Sequence, residues 1–177
     1  MENAKVLVVM GSRSDLPVME GCLDQLKALE IPYEVRVLSA HRTPDAVLEL
    51  SKNAQDNGIQ VIIAAAGGAA HLAGVLASST ILPIIGIPMQ TSALGGMDSL
   101  LSTVQMPAGV PVATVAIGKA GAKNAAILAG QILALSDPKM RAILEKFKAD
   151  QKESVSANSI CQGSPLALPE QWPVAAH

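Results

Sequence analysis

Residues 39–44, with the sequence Ser-Ala-His-Arg-Thr-Pro, combine three side chains that could act on one small ligand. His41 can move a proton near neutral pH, Arg42 can bind a phosphate, and Ser39 adds a hydroxyl. A β-type run precedes the segment and a helical pattern follows it, with Thr43 as the expected N-cap. Ligands of α/β sheets bind at such strand-to-helix turns. A surface turn whose His and Arg only cap a helix is the alternative.

A second turn of this kind, residues 11–15 (Gly-Ser-Arg-Ser-Asp), opens the first predicted helix. The hydroxyls of Ser12 and Ser14, together with backbone amides at a helix start, suit an anion. Asp15 suits a ribose hydroxyl, or else it caps the helix. Neither G-x-G-x-x-G nor G-x-x-x-x-G-K-[ST] occurs, so we do not expect a dinucleotide or ATP.

A third turn, residues 66–71 (Ala-Gly-Gly-Ala-Ala-His), follows the third β-type run. Gly67 and Gly68 would let the backbone approach a ligand closely. His71 stands at the start of a helical pattern, where a histidine is more often a structural hydrogen-bonding group than a catalyst. His41 is therefore the preferred proton carrier, because its neighbours already supply anion binding.

Other chemistries lack the residues that they need. His41 and His71 have no further His, Cys or carboxylate at ligand spacing, so we expect no metal site. A Ser–His–Asp hydrolase would need a G-x-S-x-G elbow, which is absent. Lys119 and Lys123, near the fifth predicted turn, either add positive charge to the site or face a neighbouring subunit. His177 is terminal and is expected to lie outside the chemistry.

Strand and helix patterns alternate along the whole chain. The predicted strands are 5–10, 33–38, 61–65, 83–87 and 112–117, and the predicted helices are 16–29, 43–57, 72–79, 97–105, 124–135 and 138–151. Such alternation predicts a single-domain three-layer α/β sandwich with a five-stranded parallel sheet. The flavodoxin-like (Rossmann-like) order 2-1-3-4-5 is the natural choice for five strands. In this fold all the turns above lie on one edge of the sheet.

The patterns also predict which elements are exposed, which are buried, and where the domain ends. The second strand alternates polar and apolar residues and is expected at a sheet edge, whereas helix 124–135 is apolar nearly all round. We expect that helix to be buried by its own domain or by a neighbouring subunit. Residues 1–153 are assigned to the catalytic domain, and the Ser-, Pro- and Ala-rich residues 154–177 to a C-terminal tail.

The composition limits the class of partner. Only 16% of residues are charged, against about 25% in an average chain, and the mean hydropathy is +0.37, which favours a homo-oligomer. Aromatic residues make up 2% and the net charge is −2, which argues against nucleic-acid binding. No secretory signal or membrane-length apolar run is visible, so the cytoplasm is the expected compartment, with no membrane partner. Cys22 and Cys161 share no motif, and Cys22 is expected to pack rather than react.

The sequence resembles the N5-carboxyaminoimidazole ribonucleotide mutase family of purine biosynthesis, the class I catalytic subunit of bacterial phosphoribosylaminoimidazole carboxylase. The matching segments are GSRSD (11–15), SAHRTP (39–44), GGAAHL (67–72), DSL (98–100), VQMP (104–107) and AIGKAG (116–121). They occur in the family's order, and the resemblance runs from about Lys5 to Gln151. Two departures are Ala73, where Pro is expected, and Gly95, where Ser is common; either could loosen a loop.

The resemblance implies a flavodoxin-like fold, a homo-octamer, and no metal or organic cofactor. It implies an isomerase that moves a carboxylate from the exocyclic nitrogen of the aminoimidazole ribonucleotide to ring carbon 4, by way of CO2 held in a closed site. By motif match, the histidine that moves the proton is His41. The implied substrate-binding residues are Ser12, Ser14, Asp15, Ser39, Arg42, Ala66, Gly67, Gly68 and His71.

Two other functions stay open from the sequence. A related carboxylase would take free CO2 and the uncarboxylated ribonucleotide, but that branch tends to carry Lys and Gly after the histidine, where this chain has Arg42 and Thr43. A non-catalytic sensor of phosphoribosyl ligands would explain Arg42 and Ser12 but would leave His41 without a role. Turnover by the purified protein separates the sensor from both enzymes.

Overall fold

A computed structural model describes residues 4–157 of the chain. Strands and helices alternate throughout. The elements in chain order are β1 (Val6–Met10), a single 3-10 turn (Arg13–Asp15), α1 (Leu16–Ala28), β2 (Tyr33–Val37), α2 (Pro44–Asn53), β3 (Val61–Ala66), α3 (Leu72–Ala77), β4 (Ile84–Pro88), α4 (Met97–Val104), β5 (Ala113–Thr114), α5 (Lys119–Leu133) and α6 (Pro138–Ala157).

The five strands form one parallel sheet in the order β2-β1-β3-β4-β5, which confirms the predicted flavodoxin-like fold. Every residue of β1 and β4 is buried, as expected for strands covered on both faces. The edge strand β2 has no fully buried residue, which agrees with its alternating polar pattern. Val6 lies opposite both Tyr33 and Val61, so the carboxyl ends of the first three strands are level.

Helices cover both faces of the sheet. On one face α1 and α5 pack against each other, and α5 also contacts β3 and β4. On the other face α2 and α3 bury Val47 and Leu76 against alternate strand residues such as Leu7 and Ile62. Helix α4 lies on this second face, because a Cβ on Gly86 of β4 would meet the Thr103 methyl group at 2.6 Å.

Strand β5 and helix α5 differ most from their predicted bounds. β5 has only two regular residues, although Gly118 N–H still bonds to the Pro88 carbonyl of β4 at 2.9 Å. Helix α5 begins at Lys119, where the glycines had predicted a loop. Gly121 belongs to its first turn because the turn packs on the Ala116 carbonyl, where a Cβ would lie only 1.6 Å from the oxygen. The glycine here allows close packing rather than a loop.

Burial inside the domain explains why much of helix α5 is apolar. One side of the helix is buried, including Ala122, Ala126 and Ala129, which are fully inaccessible. Gln131 on the same helix is exposed. Cys22 of α1 is also fully buried, which raises the pKa of its thiol to about 12 and fits the predicted packing role.

The chain divides into two compact units after Leu144, within α6. The first unit contains the sheet and the pocket described below. Helix α6 continues to Ala157, past its predicted end. Residues 158–177, with Cys161 and His177, lie outside the described residues, and the predicted boundary at 153 stays a prediction. Within the described part of the chain, no helix combines the length and apolarity that crossing a membrane requires.

Candidate active site

A pocket of about 490 Å³ lies at the carboxyl edge of the sheet. Four loops contribute to it, and we number them after the strands that they follow: loop 1 (11–15), loop 2 (39–43), loop 3 (67–71) and loop 4 (89–91). The lining residues are Gly11, Ser12, Ser14, Asp15, Ser39, Ala40, His41, Arg42, Ala66, Gly67, Ala69, His71, Leu72, Met89, Gln90 and Thr91. Parallel strands bring these loops together, because all their carboxyl ends lie on one edge.

Loop 1 presents two hydroxyls and a carboxylate. Ser12 Oγ accepts hydrogen bonds from the Ser14 backbone N–H at 3.2 Å and from the Ser14 hydroxyl at 2.8 Å, so the two serines form one unit. Asp15 occupies the N-cap position of α1 but makes no side-chain capping bond. Its carboxylate therefore lines the pocket without the helix-capping role that the sequence had left open.

Loop 2 is fixed by reciprocal bonds between Ser39 and Thr43. Thr43 Oγ1 accepts from the Ser39 N–H at 3.0 Å and donates to the Ser39 carbonyl at 3.0 Å. Thr43 is the N-cap of α2, as predicted, but its hydroxyl closes the loop instead of capping the helix. The Ser39 hydroxyl accepts from Arg42 N–H at 3.2 Å, and Arg42 Nη2 reaches the Gly11 carbonyl at 3.4 Å. The guanidinium thus bridges loops 1 and 2.

Loop 3 brings the second histidine to the first. His41 Nε2 and His71 Nδ1 lie 2.8 Å apart, and the two rings are nearly perpendicular, with an interplanar angle of 86°. At this distance one nitrogen donates and the other accepts, so a single proton lies between the facing nitrogens. A two-histidine unit of this kind is suited to moving one proton.

The structure brings the predicted site residues together with one exception. All of them line the pocket except Gly68, whose N–H instead bonds to the Ser99 hydroxyl of α4 at 2.9 Å. Lys119 and Lys123 are not among the lining residues of the described chain.

The sequence reasoning missed several lining residues, chiefly the whole of loop 4: Met89, Gln90 and Thr91. The signal that could have found them is their position directly after β4, since every loop after a strand reaches the same edge. The polar lining atoms come from hydroxyls, amides, two imidazoles, one guanidinium and one carboxylate. No cluster of three or more His, Cys, Asp or Glu that could bind a metal occurs among residues 4–157.

The comparisons with known proteins agree with this geometry. The family model described as AIR carboxylase matches residues 5–154. The chain belongs to the AIR carboxylase family. The resemblance noted in the sequence is thereby confirmed, and the matched residues include all four loops of the pocket.

Relatives in this family are similar over most of the chain. A protein of Pseudomonas aeruginosa named N5-carboxyaminoimidazole ribonucleotide mutase is 54% identical over 156 residues, which cover 88% of this chain and 96% of the relative. A protein of the same name from Escherichia coli is 49% identical over 161 residues, 91% of this chain and 95% of the relative. The crystal structure of Treponema denticola PurE superposes with a TM-score of 0.78 at 27% identity, covering 87% of this chain and 95% of that one.

Burial of the ionised Asp15 carboxylate is expected to lower the stability of the folded protein near neutral pH. Burial raises the pKa of its carboxyl above the ordinary 3.8, and the backbone at Ser12 offsets part of the shift. The folded protein therefore retains this proton to higher pH than the unfolded chain does, and stability falls as pH rises through that window. We expect Asp15→Asn to raise the melting temperature near neutral pH, and this gain to vanish below pH 3.8, where both states are protonated.

Thermal denaturation at the two pH values measures this effect. The matched control is Asp56→Asn, which changes an exposed aspartate outside the pocket and should give no comparable pH-dependent gain. A neutral-pH melting temperature that is unchanged or lower in Asp15→Asn would contradict the assignment.

Proposed function

We propose that this protein is a 5-(carboxyamino)imidazole ribonucleotide mutase, an isomerase of de novo purine biosynthesis. It moves the carboxylate from N5 of N5-carboxyaminoimidazole ribonucleotide to ring carbon 4 and releases 4-carboxy-5-aminoimidazole ribonucleotide. The observation that carries the proposal is the His41–His71 contact of 2.8 Å beside Arg42 in one pocket. Binding alone would need the cation but would leave this pair unused, which disfavours a ribonucleotide sensor.

The pocket has an anion-binding part. Arg42 supplies a fixed positive charge between loops 1 and 2 and bonds to the Ser39 hydroxyl, and the paired hydroxyls of Ser12 and Ser14 line the same pocket. We assign these groups to the phosphate of the ribonucleotide, since a guanidinium fork matches phosphate oxygens. The Asp15 carboxylate is assigned to a ribose hydroxyl, which can donate to it.

The pocket also has a part for the aminoimidazole and the migrating carboxylate. Ala66 and Gly67 line it without long side chains, and Gly68 adopts a φ of +69°, which favours glycine. These small residues leave room for a planar ring next to His41 and His71. In the proposed complex, Gly67 and Gly68 shape the backbone around the base, and His71 lies near the carboxylate.

The proposed reaction uses His41 twice. The bond between N5 and the carboxylate carbon breaks, its electron pair stays on N5, and protonated His41 delivers a proton there, so that a neutral amine and CO2 result. Ring carbon 4 then attacks the trapped CO2 with its own electron pair, and neutral His41 removes the proton from that carbon. The histidine returns to its starting state, and no external reductant, oxidant or ATP is required.

A turnover assay with purified full-length protein tests the proposal. We expect conversion of the N-carboxylated ribonucleotide without ATP, metal or added bicarbonate. Synthesis from aminoimidazole ribonucleotide and CO2, with no activity on the carboxylated substrate, would establish the carboxylase instead. Tight binding of both compounds without turnover would establish the sensor.

His41→Asn should lower kcat at least roughly 100-fold, the low end of the usual contribution of general acid–base catalysis. Ribonucleotide binding should largely survive, because Arg42 and Ser12 are unchanged. Steady-state kinetics and calorimetric titration measure the two effects, with Asp56→Asn, at an exposed position that does not line the pocket, as the control. Near-normal turnover in His41→Asn would remove His41 from the mechanism.

We also infer that the protein is a homo-oligomer, and the resemblance makes it an octamer. The support comes from α4, where Met97, Leu101 and Val104 lie at helical spacing and are 52%, 52% and 45% exposed. Leu94, just before the helix, is 63% exposed. A stripe of exposed apolar side chains along one helix fits contact with a second copy of the chain.

Light scattering should therefore give a mass several times 18.2 kDa, and Leu101→Glu should lower it by placing a charge in the stripe. Leu135→Glu, at another exposed leucine outside the stripe, is the matched control. A monomeric native protein would refute the inference.

We propose that the protein is located in the cytoplasm, because its phosphorylated substrate does not cross membranes unaided. Cell fractionation that places the protein elsewhere would contradict this location.

A further inference from the structure

Helix α4 carries a row of hydroxyl side chains on the side opposite its apolar stripe. The row consists of Ser99, Ser102 and Thr103, and we call it the α4 hydroxyl row. Ser99 is fully buried and Thr103 is 3% exposed. None of the three lines the pocket, so they do not meet the substrate in the proposed complex. Ser99 and Ser102 bond to backbone groups of loop 3, whereas Thr103 bonds chiefly to the Ser99 carbonyl of its own helix, at 2.7 Å.

Two N–H groups of loop 3 donate to this row. The Gly68 N–H donates to Ser99 Oγ at 2.9 Å, and the Ala70 N–H donates to Ser102 Oγ at 3.0 Å. The Ser102 hydroxyl has one proton of its own, with the carbonyls of Asp98 at 2.7 Å and Gly68 at 3.0 Å within reach. Ser102 thus contacts loop 3 at both Gly68 and Ala70.

Loop 3 depends on these bonds for its conformation. Its internal bonds span only two residues: Ala70 N–H to the Gly68 carbonyl at 2.9 Å, and His71 N–H to the Ala69 carbonyl at 2.8 Å. Gly68 adds a positive φ, which the unfolded chain populates together with many other conformations. A segment with such short internal bonds needs an outside partner to stay in one geometry. The α4 hydroxyl row is that partner.

The loop ends at His71, whose ring meets His41. A displacement of the loop therefore changes the distance between the two imidazoles directly, whereas Arg42 and Ser12 belong to other loops. A hydrogen bond of 2.8 Å between the rings tolerates little displacement before it lengthens beyond hydrogen-bond range. The α4 hydroxyl row therefore affects the geometry of the His41–His71 pair and leaves the anion-binding groups unchanged.

We propose that Ser102, assisted by Ser99, is a positioning residue for the His41–His71 pair. Its hydroxyl holds loop 3 so that His71 Nδ1 faces His41 Nε2, which keeps the two rings within hydrogen-bond distance. This inference rests on the proposed function only for its effect on turnover. The geometry of the two rings can be measured without any substrate.

The kinetic test compares three variants of the full-length protein. We expect Ser102→Ala to lower kcat by roughly tenfold, because a misplaced catalytic group loses much of its effect, while KM stays close to the native value. Ser102→Thr keeps the hydroxyl and should restore most of kcat. Ser78→Ala is the matched control, because its hydroxyl also bonds to a backbone carbonyl, that of Val75 at 2.7 Å, but at the far end of α3.

The substrate-free test uses the nitrogen NMR signals of the histidine rings, of which the chain has three. In the native protein the signals of His41 Nε2 and His71 Nδ1 should show the hydrogen bond between the two rings, and in Ser102→Ala that signature should be lost. Unchanged kcat and unchanged ring signals in Ser102→Ala would overturn the proposal. Equal losses in Ser102→Thr or Ser78→Ala would overturn it as well, because they would reflect general destabilisation. If the native protein lacks mutase activity, the proposed function fails, and the ring signals still decide the positioning role.

Discussion

The parallel pairing of five strands is the constraint on which the site depends. Because β1, β3 and β4 are buried on both faces, their register cannot slip without moving apolar side chains into water. Their carboxyl ends are therefore held level, and loops that are far apart in the chain meet at one edge. His41 and His71, 30 residues apart in sequence, lie on two of these loops and come within 2.8 Å of each other.

Different loops of the site provide the anion-binding groups and the two histidines. Loops 1 and 2 provide the charge and hydroxyls for an anion, with Arg42 bonded to both. Loops 2 and 3 provide the two imidazoles, and loop 3 contains small residues that leave space for a ring. Helix α4 contacts two of the loops. Its hydroxyl row holds loop 3, and its Asp98 carboxylate accepts a hydrogen bond of 2.8 Å from the Thr91 hydroxyl of loop 4. One short helix thus supports two walls of the pocket.

Much of the fold follows from simple sequence patterns, and the exceptions have physical causes. Buried strands appear as apolar runs, so β1, β3 and β4 could be predicted, and residues after them could be assigned to one edge. Loop 4 was missed because Met89 and Gln90 carry no obvious chemical signal. Gly121 predicted a loop but packs a helix on a carbonyl. The roles of Ser99 and Ser102 could not be predicted, because serines on a helix pattern give no sign of the loop that they face.

In the proposed reaction the carboxylate moves within one pocket, through CO2 that does not escape. The most direct measurement is conversion of substrate with a 13C-labelled carboxylate in a buffer of unlabelled bicarbonate, followed by mass analysis of the product. We expect most of the label to stay at ring carbon 4, because capture by the adjacent carbon is faster than escape of CO2 to solvent. Complete replacement of the label by unlabelled carbon from the buffer would contradict it.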